Sequence, residues 1–308
     1  MLKIIQLRFI HVLTFLLLSF LIVSCAANNT VRTEQQPHAS QPYATKGILW
    51  KAEKPGTKPS FVFGTVHSED ERVTNLPDEI NNPFSAAQTL VIEVLLDKKA
   101  SQSVLRAMYF EDGRTLRSVT TEDIYKRAVE AMKTHDMPER LVNMMKPWAV
   151  FTVLNMPKQE TGLFLDALLY QSAKKQGKQV LGLESMKEQM AVFDDMPMAT
   201  QVSLLKSTLD SSEDMEKILN ETIEVYLTHD LKKILDLNER YMVLLDKDVA
   251  DEFNQRLIIN RNKIMAERML PALEKGNAFV AIGTLHLPGE FGVLNLLHKK
   301  GYRLTPVY

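Results

Sequence analysis

Two segments of the chain carry the same pattern, Gly-Thr-x-His, directly after an apolar run. The first runs from Gly64 to His67 and the second from Gly283 to His286. Histidine binds metals and exchanges protons near neutral pH. A glycine lets the chain turn sharply as it leaves a strand. We therefore expect the glycines to shape a cofactor site and the histidines to project over the carboxyl edge of the strands, where open α/β sheets bind ligands.

Two acidic residues end further apolar runs. Glu93 lies near the end of Thr-Leu-Val-Ile-Glu-Val, and Glu184 ends Gln-Val-Leu-Gly-Leu-Glu. A carboxylate buried there without a partner would be costly. If these strands run parallel to those that precede the histidines, all four side chains reach one edge. Two histidines with one or two glutamates suit a divalent ion such as Zn, Mn or Co.

The pattern predicts a metal site that activates water. We predict His67, His286 and Glu93 as ligands, with Glu93 and Glu184 as the catalytic carboxylates. A bound ion makes hydroxide available near neutral pH, and a glutamate that is not a ligand could act as general base. The alternative also stays open, in which each histidine bonds locally to the backbone and each glutamate pairs with a surface lysine.

The apolar runs predict an α/β fold with a mostly parallel central sheet. Short strands that are apolar throughout are typical of sheets covered by helices on both faces. A hairpin is expected around the turn at 54–59, and the strands occur mostly near the two chain ends. Residues 99–176 and 186–275 show helical periodicity, including a capping-box-like helix start at Thr120. We therefore predict one domain, 47–308, whose sheet is formed from both chain ends, with a large helical insertion.

The first residues have the pattern of a lipoprotein signal. Residues 1–24 combine an early Lys and Arg with a mostly apolar stretch too short for a typical membrane span. The sequence Ile-Val-Ser-Cys at 22–25 resembles a lipobox, so we predict lipidation at Cys25. Residues 25–46 have almost no branched aliphatic side chains and are expected to form a flexible tether. An ordinary signal peptide with an incidental cysteine is the alternative.

Composition excludes several classes of protein. The 308 residues include 37 Lys and Arg against 38 Asp and Glu, so the net charge is −1 and a phosphate-neutralising nucleic-acid binder is not favoured. Cys25 is the one cysteine, which rules out disulfides within the chain and cysteine-based zinc or iron–sulfur sites.

Several stretches together resemble the TraB/GumN family, which is related to the TIKI proteases. They are Leu-Trp-Lys at 49–51, both Gly-Thr-x-His segments, Val-Ile-Glu at 91–93, Lys-Pro-Trp at 146–148, Gly162 to Asp166, 177–185, Arg-Asn at 261–262 and the residues that follow His286. The similarity covers about residues 47–307. The pattern of the family, paired Gly-x-x-His motifs with a Glu and an Arg, corresponds to Gly64 and His67, Gly283 and His286, Glu93, and Arg261.

The resemblance implies a metal-dependent hydrolase of the protease type, with manganese or cobalt as the metal. It also implies structural kinship with erythromycin esterase and the haem-binding lipoprotein ChaN. Arg261 then becomes a catalytic candidate, since its fork can bind a substrate carboxylate or an oxyanion; a surface salt bridge is the alternative. Glu290 is a candidate for orienting His286.

We therefore predict a hydrolase anchored in the bacterial envelope that acts on a peptide or small molecule. Its lipid would place it in the outer membrane, facing the periplasm. The alternatives are a non-catalytic lipoprotein that binds haem, metal or another ligand, and a lipoprotein that contacts other proteins without any chemistry.

Overall fold

The computed structural model describes residues 45–95, 104, 106–156, 161–210, 215–243 and 245–308. The predicted signal (1–24), the predicted lipidation site Cys25 and most of the predicted tether lie outside these residues. The last two tether residues are bound to the domain, since Leu231 N donates to Thr45 O and Lys46 forms a β-bridge with Asp230. In the part of the chain that the structure describes, no helix is long and apolar enough to cross a membrane.

Six strands form one sheet, in the spatial order β4-β3-β5-β2-β1-β6. They are β1 (Leu49–Glu53), β2 (Ser60–Thr65), β3 (Thr89–Val94), β4 (Gln179–Glu184), β5 (Ala278–Gly283) and β6 (Arg303–Pro306). The four strands β4, β3, β5 and β2 are parallel, while β1 is antiparallel to both β2 and β6. The mostly parallel sheet from both chain ends and the hairpin β1–β2 are confirmed.

Most of the described residues between the strands are helical. They are α1 (Glu71–Thr74), α2 (Asp78–Ala86), α3 (Leu116–Val119), α4 (Glu122–Met132), α5 (Glu139–Met144), α6 (Pro147–Leu154), α7 (Leu165–Lys175), α8 (Met186–Asp194), α9 (Met198–Asp210), α10 (Met215–Tyr226), α11 (Leu231–Met242), α12 (Lys247–Asn254), α13 (Arg261–Arg268), α14 (Leu270–Lys275) and α15 (Val293–Lys299). A π-helical turn, Gln255–Asn260, joins α12 to α13. The predicted cap at Thr120 is wrong by one residue, because the Thr121 side chain accepts from Ile124 N and the helix begins at Glu122.

The core has two large parts. One surrounds the sheet and includes Phe63, Val91 and Phe279. The other is helical and includes Trp148 and Phe193 together with several buried methionines. The methionines therefore serve largely as core packing, and their flexible side chains fill irregular space between helices.

The burial of the central strands matches their apolar sequences, but that of β4 does not. Every residue of β3 is buried, so helices cover both of its faces. The run that forms β4 was expected to be buried in the same way. That expectation is wrong for its first four residues, which are exposed or half-buried because β4 lies at the edge of the sheet.

Candidate functional site

The carboxyl ends of four neighbouring parallel strands bring the predicted residues to one edge. In spatial order, β4 ends at Glu184, β3 carries Glu93, β5 leads into His286, and β2 leads into His67. The register aligns Val94 with Glu184 across the β3–β4 pair. The shared edge predicted from the sequence is therefore present.

Arg261 joins the two carboxylates. It is the first residue of α13, directly after the π-helical turn, a feature that often occurs at functional sites. Its Nη2 donates to Glu93 Oε2 at 2.5 Å and to Glu184 Oε2 at 2.7 Å. Its Nε donates to Glu184 Oε2 at 3.0 Å and lies 3.2 Å from Oε1.

The Arg261 side chain is a buried charge with partners on two strands. Burial alone lowers the pKa of Arg261, but the charges of Glu93 and Glu184 and their hydrogen bonds outweigh burial and raise it. The residue is 5% exposed, so the surface salt bridge considered above is wrong. Hydrogen bonds of the Arg261 guanidinium go to Glu93 and Glu184, so this side chain connects β3 to β4 at the site.

Glu93 is bonded through both oxygens. Oε1 accepts from Gly283 N at 2.7 Å, while Oε2 accepts from Arg261 and, at 3.4 Å, from Gln189 Nε2. The same Gln189 nitrogen donates to Glu184 Oε2 at 3.2 Å. Counted as ionised groups, the two glutamates and Arg261 have a formal charge of −1, and a divalent ion bound there would change it to +1.

His286 lies in the same cluster. Its Nε2 is 3.4 Å from Arg261 Nη1 and 3.9 Å from Glu93 Oε1, and its Nδ1 is 2.6 Å from Asn262 Oδ1. Burial, and then the charge of Arg261, lower the pKa of His286 to about 3, so the imidazole is neutral. The residue proposed for orienting it, Glu290, is exposed, and Asn262 occupies the position next to Nδ1 instead.

His67 leaves the neighbouring strand and contacts residues at the start of α7. Its Nδ1 lies 2.8 Å from Asp166 Oδ2, and its ring packs edge-on against Phe164 with centroids 4.8 Å apart. Thr65 Oγ1 donates to the other Asp166 oxygen at 2.7 Å. His67 is 5% exposed, as is His286. The site therefore lies at the predicted sheet edge and is buried.

The two motif glycines are explained by the lack of room for a side chain, not by a left-handed backbone conformation. Gly64 lies inside the extended strand β2 and Gly283 has φ −52°, so neither needs the left-handed region. A Cβ on Gly64 would lie 2.8 Å from Leu287 Cδ1 and from Thr284 Oγ1. A Cβ on Gly283 would lie 3.3 Å from Glu93 Oε1. The sharp turn expected at Gly64 is therefore wrong, whereas the chain does turn after Gly283, where β5 ends and the 3-10 turn Thr284–His286 begins. Close approach, not a left-handed backbone, explains both glycines.

Two side chains of the cluster have donor atoms at a separation that a single ion could bridge, but a third ligand among the described residues is not close to them. Glu93 Oε1 and His286 Nε2 are 3.9 Å apart, and two donors that each bind one ion at roughly 2.0–2.2 Å lie at most about 4.4 Å apart. Gln189 Oε1 is also buried and has no hydrogen-bond partner among the described residues. Within those residues, however, no three His, Cys, Asp or Glu side chains are close enough together to hold a metal. Joint ligation by His67, His286 and Glu93 stays a prediction.

Sequence reasoning missed three residues of the site. Asn262 and Asp166 lie inside the stretches that resemble the family, but their roles depend on contacts with residues 24 and 101 positions away. Gln189 lies in α8, five residues after Glu184. That spacing was the one local signal that could have linked it to the site.

Comparisons with known proteins agree with the motif pattern. A family model described as the TraB/PrgY/gumN family matches residues 48–306. The Metalloprotease TIKI homolog of Amphimedon queenslandica is 22% identical over an alignment of 322 positions, gaps included, that covers 87% of this chain and 63% of that protein. Human Metalloprotease TIKI1 is 24% identical over an alignment of 331 positions, gaps included, that covers 90% of this chain and 65% of that protein.

The chain therefore spans less than two thirds of the length of these two TIKI proteins. A bacterial relative, the uncharacterized protein YbaP of Shigella flexneri, is 23% identical over 248 residues, which cover 79% of this chain and 89% of that protein. No solved structure matches, so kinship with erythromycin esterase and ChaN stays a prediction.

Proposed function

Because this chain belongs to the TraB/PrgY/gumN family, we propose that it is a metal-dependent hydrolase of the peptidase type. The observation that carries the proposal is the buried cluster at the sheet edge. There, two carboxylates share one arginine, and a neutral imidazole lies 3.9 Å from one of them. The relatives named as metalloproteases support the same reaction class.

His67, His286 and Glu93 would hold the ion, with Mn, Co or Zn as candidates. Their nitrogen and oxygen donors suit these borderline to hard cations. When bound, such an ion supplies a Lewis acid that polarises a carbonyl and makes water acidic enough to ionise near neutral pH. Gly64 and Gly283 contribute by leaving room for the side chains around the ion.

Hydrogen bonds within the chain hold the two carboxylates next to the proposed position of the ion. Arg261 holds the Glu93 and Glu184 carboxylates through Nη2, and Gly283 N holds the second oxygen of Glu93. Glu184 is the proposed proton acceptor. Its Oε1 receives a longer bond from Arg261, 3.2 Å, than its Oε2 does, 2.7 Å, so Oε1 is the oxygen with more room for a further hydrogen bond.

We also propose that the enzyme acts in the bacterial envelope on a peptide or small molecule and binds no nucleic acid. The support is the sequence: the signal-like residues 1–24, the lipobox-like position of Cys25, and the nearly balanced charge. A lipid on Cys25 would anchor the domain to the membrane, in the outer membrane on the periplasmic side.

A non-catalytic lipoprotein that binds haem, metal or another ligand is the second candidate. Arg261 favours the form of this candidate that binds haem or another ligand rather than an ion at the carboxylates, because a guanidinium between Glu93 and Glu184 already compensates part of the charge that an ion there would need. Such a protein would retain its ligand without turnover.

A pooled peptide-library assay on the full chain separates these candidates. We expect cleavage by the wild type with added Mn²⁺, Co²⁺ or Zn²⁺, loss of cleavage with a chelator, and at least a hundredfold loss in His286→Ala. His298→Ala is the matched control, since His298 is exposed on α15, and it should cleave as the wild type does. No cleavage with any of the three metals, or full activity in His286→Ala, would overturn the proposal.

A further inference from the structure

The two outer strands of the sheet differ in how well their free edges are protected. β6 ends the sheet on one side and β4 on the other. Val307 N donates to Leu49 O, so the alternation along a strand turns the nitrogen of Pro306 away from β1. Proline has no N–H to offer at that edge, and Arg303 on the same strand pairs with Glu53. Proline and charged side chains are common means of preventing an edge strand from pairing with another chain.

The edge formed by β4 lacks both kinds of protection. Residues 179–183, Gln-Val-Leu-Gly-Leu, contain no proline and no charged side chain. Gln179 and Gly182 are exposed, and Leu181 is 37% exposed. Leu95, which follows β3, is also 37% exposed and lies against Gly182, where an added Cβ would meet Leu95 Cγ at 3.2 Å. Residues 179–182, which we call the β4 edge, are therefore an uncharged and accessible stretch of strand with apolar side chains beside it.

The backbone of the β4 edge directs hydrogen-bonding groups away from the sheet. Gln179 N donates to Gln88 O at 3.1 Å, so the backbone groups of Gln179 face β3. Because the peptide groups of a strand alternate in direction, those of Val180 and Gly182 face away from β3. Within the part of the chain that the structure describes, no backbone group bonds to Val180 or Gly182 on that side. Such a row of donors and acceptors matches the backbone of an extended peptide.

The β4 edge leads to the buried cluster. Glu184, the last residue of β4, lies two residues beyond Gly182, which is roughly 7 Å of extended chain. Leu183 O, between them, accepts from Arg268 Nη1 at 2.8 Å, and Arg268 also bonds to Glu188. An added strand would therefore run toward Glu184 and would meet the half-exposed Arg268–Glu188 pair beside it.

We propose that the β4 edge is a docking strand for an extended, uncharged segment of a peptide, which adds to the sheet beside β4 and is directed toward Glu184. Main-chain hydrogen bonds to Val180 and Gly182 give affinity, and apolar side chains of the peptide contact Leu181 and Leu95, as is general for peptide recognition by strand addition. The inference rests on the proposed function only in treating the bound peptide as a substrate. Docking itself needs neither metal nor catalysis.

A peptide suits the β4 edge better than a second copy of this chain does. The exposed or half-buried stretch of β4 comprises four residues, because Leu183 and Glu184 are buried. Pairing of two such edges would join four residues of each copy, whereas a stable protein interface uses about 20–30 residues on each side. A short peptide needs only local pairing, and this edge places it next to the cluster.

Peptide binding to the full chain, with a chelator and no added metal, tests docking apart from catalysis. The probe is a pool of unstructured peptides of about ten residues. The tightest peptide that the wild type retains is then N-methylated at one amide at a time. We expect affinity to fall about tenfold or more at every second position within the docked segment, because alternate amides of an added strand face β4. Methylation at the positions between them should leave binding unchanged.

Val180→Pro tests the same contact from the side of the protein. Proline removes the outward N–H of Val180 while leaving the bonds between β4 and β3 in place, as is tolerated on edge strands. The variant should bind the selected peptide about tenfold more weakly or worse. Val180→Ala is the matched control, since it shortens the side chain but keeps the N–H, and it should bind as the wild type does.

Hydrogen exchange, followed residue by residue by NMR, adds a measurement on the unaltered chain. The amides of Val180 and Gly182 should exchange faster than that of Leu181, whose N–H faces β3. The selected peptide should slow exchange at Val180 and Gly182. Protection of these two amides without peptide would show that another segment of this chain, or a second copy, already occupies the edge, and would overturn the inference.

The remaining outcomes separate docking from hydrolysis. Methylation effects without a two-residue period, or wild-type affinity in Val180→Pro, would overturn the inference and leave the proposed function intact. A wild type that retains no peptide from the pool would also overturn the inference. Binding with the two-residue period but without cleavage when Mn²⁺, Co²⁺ or Zn²⁺ is added would support docking and contradict the proposed function alone.

Discussion

Arg261 is the residue on which the buried cluster depends, because its guanidinium bonds to both carboxylates. Lysine carries one compact ammonium and cannot reproduce the planar fork. We expect Arg261→Lys to lower the free energy of unfolding by about 2–4 kcal/mol and to reduce peptide cleavage at least tenfold, as measured by chemical denaturation and by the library assay.

Arg268→Lys is the control for this change. Arg268 also bonds through its fork, to Glu188, but its side chain is 43% exposed. Its replacement should cost less than about 1 kcal/mol. Equal losses of stability in the two variants would contradict the central role given to the buried arginine.

The two motif glycines should differ in their tolerance of a methyl group. In Gly64→Ala the added carbon meets Leu287 Cδ1 and Thr284 Oγ1 at 2.8 Å and the Thr284 Cα at 3.1 Å. We expect a loss of about 1–3 kcal/mol by denaturation, because overpacking forces shifts in a dense core. Gly283→Ala meets Glu93 Oε1 at 3.3 Å and should cost less. The reverse order would show that conformational freedom, not space, selects these glycines.

At the residue scale, the sequence predicted the members of the site better than their environment. Glu93, Glu184 and His286 could be placed at one edge because each lies at or just after the end of an apolar run. Arg261 required the family resemblance, since a helical arginine carries no local sign of its partners. The burial of the site side chains could not be predicted, because it depends on helices distant in sequence that close over the edge.

Two helices of the site region are joined by an ion pair that makes stability depend on pH. Glu188 in α8 bonds to Arg268 in α13. Hydrogen bonds from the Arg268 side chain, and then from Ser185 N, lower the pKa of Glu188 to about 2. Because the pKa is lowered by folding, this contribution is fully present above the ordinary value of 4.5 and is lost as the pH falls toward 2.

Denaturation between pH 5 and about 2 measures this contribution. Glu188→Gln should remove part of the wild type's loss of stability on acidification. The difference should stay below about 1 kcal/mol, because the carboxylate is 44% exposed and water screens the pair. Glu290→Gln, a change at an exposed residue, should follow the wild-type curve. Identical curves for the wild type and Glu188→Gln would contradict the assigned ion pair.

At the element scale, strand type and pairing followed from apolar runs, while position within the sheet did not. β3 and β5 are covered on both faces, as their sequences indicate. β4 also contains an apolar run, yet it is an edge strand with exposed residues. Sheet order depends on how the helices between strands cross over, and periodicity within one strand contains no information about that.

At the scale of the whole molecule, the prediction concerns residues 1–44, which lie outside the described part. Cleavage before Cys25 and lipidation of its thiol should leave the domain on a tether of about 20 residues. Intact-mass measurement should show an acylated N-terminal cysteine, Cys25→Ser should abolish acylation, and globomycin should accumulate the precursor. A mature N-terminus elsewhere, or an unmodified Cys25, would exclude the anchor.

The most direct test of the central claim is the metal content of the purified full chain. After incubation with Mn²⁺, Co²⁺ or Zn²⁺ and removal of free ion, elemental analysis should find about one bound ion per chain in the wild type and in the control His298→Ala, as expected for a single His/Glu site. The double variant His67→Ala/His286→Ala should hold none. A wild type without bound metal, or a double variant that retains it, would contradict the assignment of the sheet-edge cluster as a metal centre.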